Sequence, residues 1–335
     1  MKHAIIGCGR VAPNHVFGSK EAGVDVKWCC DIDENKLLKF AHKYNIPFKT
    51  LDYNDVLNDP EVISVSICTD HGSHSKIAID ALNQGKHIVI EKPIAININE
   101  AKKIIKARDK NKKIVTVCFQ HRFDPLIQKI KKLLEEGFFG KITAINATIQ
   151  CSKDEKYYSG WRGKLNTEGG STLINQGIHT LDLLIWFFDS PKMLYSKFDA
   201  LKFSRDFFET EDTLISLLEF KNKALCTFLS TNTSIVEWDS YIEIIGTNGR
   251  IVFTTDFPNV VIKCDSQDNQ NLHLELEKLT QTRKLPPPSM NYYGISHKDV
   301  FKNFFGAIQN KEPLFISAED GLKTVDVVEK IYNFN

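Results

Sequence analysis

Nowhere in the 335 residues do about eighteen apolar residues run together, the length that a membrane-crossing helix needs. The opening residues 1–7 lead straight into a strand-like run, without the basic segment and long apolar stretch of a secretory signal, so a cytoplasmic chain is expected. Charge of one sign is not in excess: 43 Lys+Arg against 42 Asp+Glu leave a net +1, which argues against a nucleic-acid or membrane-surface protein. The eight cysteines include no Cys-x-x-Cys spacing, and most lie in apolar runs, so they read as buried reduced thiols and no metal is expected. Repeats and low-complexity tracts are absent, which removes solenoids, collagen and coiled coils.

What is present is an alternation of two periodicities. Short apolar runs at 3–7, 24–31, 62–68, 87–91 and 114–119 are separated by amphipathic stretches near 13–22, 34–44, 75–84 and 97–111, with a further helical turn or two at 53–58. Asn97, with Glu100 three residues on, makes a capping-box start. Continuous apolar strands alternating with helices predict a doubly wound α/β domain with a parallel sheet over residues 1–122. Beyond Asp124-Pro125 and a basic helix, period-two patterns dominate, at 141–150, 194–203, 213–220, 224–232, 241–246, 249–254 and 260–264. Residues 123–335 therefore read as a second α/β domain on an open, mostly antiparallel sheet, with an Asn248-Gly249 hairpin signal. One helix over 172–188 interrupts these strands, 265–290 reads as loop, and 297–308 and 318–334 read as terminal helices.

The first strand ends in Gly7-Cys8-Gly9-Arg10-Val11-Ala12, which fits G-x-G-x-x-G/A. The pattern assigns Gly7 to a tight turn, Gly9 to close approach of a pyrophosphate, Arg10 and Val11 to the same loop, and Ala12 to close helix packing. A helix N-terminus at this point offers free N–H groups to phosphate. Asp31, about 20 residues on, is placed to accept from a ribose hydroxyl and to repel a 2′-phosphate, so NAD is favoured over NADP.

A second constellation follows. Glu91-Lys92-Pro93 ends the fifth strand, where ligands of such sheets bind. Together with GCGRVA at 7–12, CTDHGSH at 68–74 and GGSTLINQGIHTLDLL at 169–184, it resembles the Gfo/Idh/MocA family of NAD(P)-dependent sugar oxidoreductases over essentially the whole chain. The resemblance implies a Rossmann domain followed by a substrate-binding and oligomerisation domain, and a homodimer or homotetramer. It makes Lys92 and His179 the catalytic pair, and places Thr69, His74, Glu91 and Gln120 against the cofactor. Asn175, His179 and Asp182 fall at i, i+4 and i+7, on one helix face. The family has an aspartate where this chain has Asn175, and an amide takes no proton, so the burden shifts to His179 and Lys92.

The segments YYSGWRG at 157–163, NQGIH at 175–179, QHRF at 120–123 and YYGxSH at 292–297 resemble a branch that oxidises the C3 hydroxyl of UDP-2-acetamido-2-deoxyglucuronate in bacterial surface-polysaccharide (O-antigen) biosynthesis. The resemblance implies a UDP-sugar substrate held by Lys92, Arg122, Tyr158, Trp161, Arg162, Asn175, Gln176 and His179. Arg122, Arg162 and Lys164 suit an anionic ligand. Other readings stay open: another sugar or cyclitol, such as UDP-N-acetylglucosamine or inositol, or a non-catalytic NAD-binding regulator.

Overall fold

The computed structural model describes residues 1–255, 259–281 and 296–334. The chain runs β1 (Lys2–Ile6), α1 (Ala12–Glu21), β2 (Asp25–Cys30), α2 (Glu34–Tyr44), β3 (Phe48–Thr50), α3 (Tyr53–Asn58), β4 (Val62–Ile67), α4 (His71–Asn83), β5 (His87–Ile90), α5 (Ile98–Asn111) and β6 (Val115–Val117). It continues through α6 (Pro125–Glu135), β7 (Ile142–Ser152), α7 (Ile178–Phe188), β8 (Lys192–Asp199), β9 (Thr213–Glu219), β10 (Leu225–Thr231), β11 (Thr233–Gly246), β12 (Gly249–Thr254), β13 (Val261–Ser266), α8 (Leu272–Gln281), α9 (His297–Ile308) and α10 (Ala318–Tyr332). Two compact units result. Residues 1–120 and 296–325 form one; 121–255, 259–281 and 326–334 form the other, so the division falls within α10.

In the first unit six parallel strands lie in the order β3-β2-β1-β4-β5-β6. The order reverses at β1, between β2 and β4, and the crevice at such a switch point is where doubly wound sheets take ligands. The apolar strands are buried on both faces, as continuous hydrophobic runs require. Asn97 accepts the Glu100 N–H at 2.9 Å, as its spacing predicts. Helix α4 begins earlier than hydrophobic periodicity suggests, because Asp70 caps it by accepting from the Ser73 N–H. Strand β3 is three residues long and half-exposed, too short to print a pattern.

The sequence assigns everything after 122 to the second domain. The structure instead returns α9 to the first unit, where it packs on α1. Gly18 is the reason the two helices approach so closely: a Cβ there would overlap the ring of Phe301, which is fully buried.

The second unit carries a seven-stranded sheet, β13-β12-β11-β7-β10-β9-β8. Every pairing is antiparallel except β7 with β10. The period-two alternation of β7 is the one-sided burial of such a sheet. The expected strand over 194–203 stops at Asp199; Phe203 instead joins Tyr158 and Phe208 in a buried aromatic cluster. The expected loop over 265–290 contains α8, which packs on β13. The expected helix over 172–188 is two pieces, a π-helical segment Thr172–Gly177 followed by α7.

Gly18→Ala is expected to lower stability by roughly 1–3 kcal/mol, although alanine is the better helix former, because the added methyl overpacks a core that cannot yield. Urea unfolding measures it; stability equal to or above wild type shows that Phe301 gives way.

Candidate active site

The glycine turn of the first unit is built as the motif requires. Gly7 has φ +95°, and a Cβ there would lie 2.6 Å from the Cys68 carbonyl group. Gly9 differs: a Cβ would meet only the Cys68 carbonyl oxygen, at 3.9 Å. The protein itself does not need glycine at that position, so the open cradle fits a ligand backbone such as a pyrophosphate. Arg10 is exposed, Val11 half-buried, and no side chain caps the first turn of α1. Asp31 stands beside this turn. Its carboxylate accepts the Cys8 and Asp33 N–H groups, both at 2.8 Å, and remains partly exposed for a ribose hydroxyl.

Lys92 is partly exposed and joined to Pro93 by a cis peptide bond. Its neighbours act differently from expectation. His74 is fully buried, with Nδ1 on the Pro93 carbonyl oxygen at 2.8 Å; it braces the turn from within and offers no surface to a cofactor. The Glu91 side chain also points inward. Its Oε1 accepts from His15 Nε2 at 2.9 Å and lies 3.7 Å from His297 Nε2. Burial alone would raise this carboxyl; the two imidazoles outweigh burial and hold it well below the carboxylate range. Burial in turn lowers His15, so a neutral donor faces an ionised acceptor. The chain extends through His15 Nδ1 to Ser66, then His3, then Ser64, each link 2.8 Å. Thr69 is half-buried and bonded to Ser73, and Gln120 is buried at the end of the unit's first segment.

Donor atoms of His15, Glu91, Cys118 and His297 lie within 4.8 Å of one another, the one metal-type grouping among the described residues. Both ring nitrogens of His15 are already engaged, so hydrogen bonds hold this grouping as it stands.

In the second unit, a buried carboxylate starts the π-helical segment. Glu211 accepts the Ser171 and Leu173 N–H groups at 3.1 Å and the Tyr332 hydroxyl at 2.8 Å. Over 171–185 only Asn175 and His179 are partly exposed, so they form the accessible edge of this segment. The His179 ring meets His121 edge-on, centroids 4.9 Å apart. Asp182 departs from that face. It is buried and holds Arg122 through a bidentate pair at 2.6 and 2.8 Å. Arg122 is therefore a cation neutralised inside the unit by Asp182.

Tyr158 is likewise a core residue. It packs between Phe203 and Phe208, and its hydroxyl accepts from Asn232 at 2.7 Å. Gln176 is buried and donates to the Tyr157 hydroxyl at 2.8 Å. Arg162 and Lys164 both reach the surface of this unit, and Arg162 is held by aromatic rings. Its guanidinium lies over the rings of both Tyr157 and Trp161, 4.5 Å from each centroid, and it forms no ion pair among the described residues. Residues 292–294 lie outside the described residues.

Sequence reasoning misses His15, Glu211 and Glu168. Glu168 is fully buried; it accepts the Gly163 N–H through Oε2 and the Asn175 amide through Oε1. Nothing in a carboxylate beside two glycines marks it as interior. Burial raises its carboxyl to about 7, helped by the Glu211 charge and opposed by the hydrogen bonds from Gly163 and Asn175 and by Arg162.

Glu168 thus binds its proton more tightly folded than unfolded, where the ordinary value is 4.5. Its contribution to stability is full below about 4.5 and is lost as pH rises to about 7, at up to roughly 1.4 kcal/mol per pH unit. Glu168→Gln removes this dependence, so its stability relative to wild type is expected to improve across that window. Urea denaturation between pH 4.5 and 8 reads the difference, and two parallel curves contradict it.

Two family models match the chain: "Oxidoreductase family, NAD-binding Rossmann fold" over residues 1–119, and "Oxidoreductase family, C-terminal alpha/beta domain" over residues 131–333. An uncharacterised oxidoreductase of Bacillus subtilis, YrbE, is 28% identical over 261 residues, covering 77% of this chain and 74% of its own. The myo-inositol 2-dehydrogenase of Thermotoga maritima is 23% identical over 327 residues, covering 96% and 92%. The WlbA dehydrogenase from Bordetella pertussis, solved in complex with NADH and UDP-GlcNAcA, shares the fold with a TM-score of 0.89 at 22% identity, covering 99% of this chain and 94% of that one. Matched by both domain models across nearly its whole length, and carrying the glycine turn with Asp31 beside it, the chain belongs to the Gfo/Idh/MocA family of NAD-dependent oxidoreductases.

Proposed function

We propose that the protein oxidises a secondary hydroxyl of a carboxylated nucleotide sugar, UDP-2-acetamido-2-deoxyglucuronate at C3, with NAD as the acceptor. The setting is the cytoplasmic part of a surface-polysaccharide pathway, and the working form is a homo-oligomer. Arg162 is the observation that carries the substrate. A guanidinium stacked on two aromatic rings and unpaired with any described carboxylate is a preset site for an anion. Tyr157 and Trp161 beside it offer faces for a sugar or uracil ring. The likeness to a dehydrogenase solved with UDP-GlcNAcA supports the same class. A cyclitol, the substrate class of the inositol dehydrogenase relative, would leave that cation without a partner.

His179 takes the hydroxyl proton, and the Lys92 ammonium donates a hydrogen bond to the oxygen as it becomes a carbonyl. Asn175, next to His179 on the accessible edge, orients the alcohol. NAD, when bound, accepts the hydride. Asp31 sets its identity: a carboxylate at that place accepts from a ribose hydroxyl and repels a phosphate.

Asp31→Ala is expected to weaken NAD binding by roughly 1–3 kcal/mol. Calorimetric titration reads it, and equal wild-type affinity for NAD and NADP removes the assignment. The reaction itself is tested by NADH absorbance with UDP-2-acetamido-2-deoxyglucuronate, UDP-N-acetylglucosamine and myo-inositol. Turnover is expected with the uronate, and Arg162→Ala is expected to raise its KM about tenfold or more while NAD affinity stays unchanged. Preference for inositol, or an Arg162→Ala enzyme with unaltered KM, contradicts the proposal.

A further inference from the structure

The turn that carries Arg162 is fixed on both sides of it. The Trp161 carbonyl accepts from Thr167 Oγ1 at 2.6 Å, and the Gly163 N–H donates to the buried Glu168. Gly163 has φ +74°, and a Cβ there would overlap the Phe208 ring, so the turn lies directly on the aromatic cluster of Tyr158, Phe203 and Phe208. A long side chain on a fixed turn still has several torsions to lose when it takes a ligand. Two rings restrict them beforehand. The guanidinium lies 4.5 Å from the centroids of Tyr157 and Trp161, and its buried Nε has no hydrogen-bond partner among the described residues. This cation is held by rings rather than by acceptors.

Tyr157 is itself fixed from three directions. Its hydroxyl accepts from Gln176 at 2.8 Å, its ring meets Tyr158 edge to face with centroids 5.0 Å apart, and it packs against the phenylalanine cluster. Gln176 belongs to the π-helical segment that leads into α7 and His179. Tyr157 thus links the cation to the segment that carries the proposed base. We infer that Tyr157 is a positioning residue that makes Arg162 selective for a carboxylate borne on the sugar ring. The inference rests on the reaction proposed above. A guanidinium whose torsions are already restricted presents its parallel donors in one orientation, which matches a planar carboxylate on a rigid ring. The diphosphate of a nucleotide sugar hangs on rotatable bonds and is met as well by an ammonium on a flexible stem, and Lys164, exposed two residues on, supplies one. Without the Tyr157 ring the charge of Arg162 remains, but the ligand has to order it.

Calorimetric titration in the presence of NADH compares UDP-2-acetamido-2-deoxyglucuronate with UDP-N-acetylglucosamine, which has a hydroxymethyl group where the uronate has its carboxylate. Wild type is expected to bind the uronate more tightly. Tyr157→Leu is expected to weaken the uronate about fivefold, roughly the effect of having to order one long side chain, and to change the neutral sugar by less than about twofold. Tyr157→Phe, which restores the ring, is expected to recover most of that loss. Lys164→Met should weaken both ligands alike, and NADH affinity should be the same in all of these proteins. Should Tyr157→Leu not fold, Tyr157→Met, closer in length and also without a ring, takes its place.

A double-variant cycle shows whether Tyr157 acts through Arg162. In an Arg162→Ala background, adding Tyr157→Leu is expected to bring no further loss for the uronate, since no guanidinium remains to be ordered. A direct contact between the ring and the sugar would persist in that background. So would an effect through Lys153, which lies over the same ring at 5.1 Å. Equal losses for the two ligands in Tyr157→Leu, no recovery in Tyr157→Phe, a loss in Lys164→Met confined to the uronate, or additive losses in the cycle each overturn the inference.

The guanidinium is also read without a sugar. Its Nε–H is buried and so exchanges slowly with water. With arginine-selective ¹⁵N labelling, that signal, identified by its loss in Arg162→Lys, should lie upfield of ordinary arginine signals because of the two rings. It should stay there in Tyr157→Phe and move back in Tyr157→Leu. A signal that does not move in Tyr157→Leu overturns the inference. If it moves as expected while wild type shows no preference for the uronate, the substrate assignment fails and the hold of Tyr157 on Arg162 stands.

Discussion

The first unit is organised around one buried carboxylate. Glu91 sits at the C-terminal end of β5, one residue before Lys92, and its side chain turns away from solvent into a set of imidazoles. An unpaired carboxylate at that depth would be intolerable, so the helices that carry His15 and His297 must both be in place. Those helices are α1, which follows the glycine turn, and α9, which arrives from more than two hundred residues further along the chain. The network therefore ties the phosphate-binding turn, the Lys92-Pro93 turn and α9 into a single cooperative element. The hydroxyl and imidazole chain from Ser64 through His3 and Ser66 to His15 carries the same requirement across the sheet.

The second unit solves a related problem at a helix start. The segment Thr172–Gly177 is π-helical and has no capping side chain of its own. Glu211, from a distant part of the chain, supplies the acceptor for its first N–H groups, and Gly170 leaves room for Tyr332, which donates to the same carboxylate. The irregular turn this creates presents Asn175 and His179 at an accessible edge while the flanking residues stay buried. Glu168 and Glu211 are thus two interior carboxylates with different duties, one fixing backbone and the other fixing a side-chain amide.

Much of this was readable without coordinates. Glycine spacing, the position of Asp31 and the alternation of apolar runs specify the parallel sheet and its ligand turn, because each is a local pattern with a direct steric or electrostatic cause. Helices α2 and α3 fall where their periodicity puts them. The failures share another origin. Arg122 and Tyr158 look like ligand residues because a cation and a phenol in a motif-rich stretch suggest binding, yet each finds its partner inside the unit, Asp182 in one case and Asn232 with a phenylalanine cluster in the other. His74 and Glu91 lie in family motifs and still face inward.

Sequence alone determined the class of fold and the dinucleotide turn, since these depend on backbone sterics and on spacing of a few residues along the chain. It could not determine which charges are satisfied. Whether Arg122 meets a carboxylate, whether Glu168 is surface or core, and whether α9 belongs with the first unit or the second are all decided by partners far away in sequence. Desolvation is the physical reason. A polar group's role follows from whether folding removes it from water and what it then meets, and only the tertiary structure, by bringing Asp182 to Arg122 and closing the second unit over Glu168, settles that.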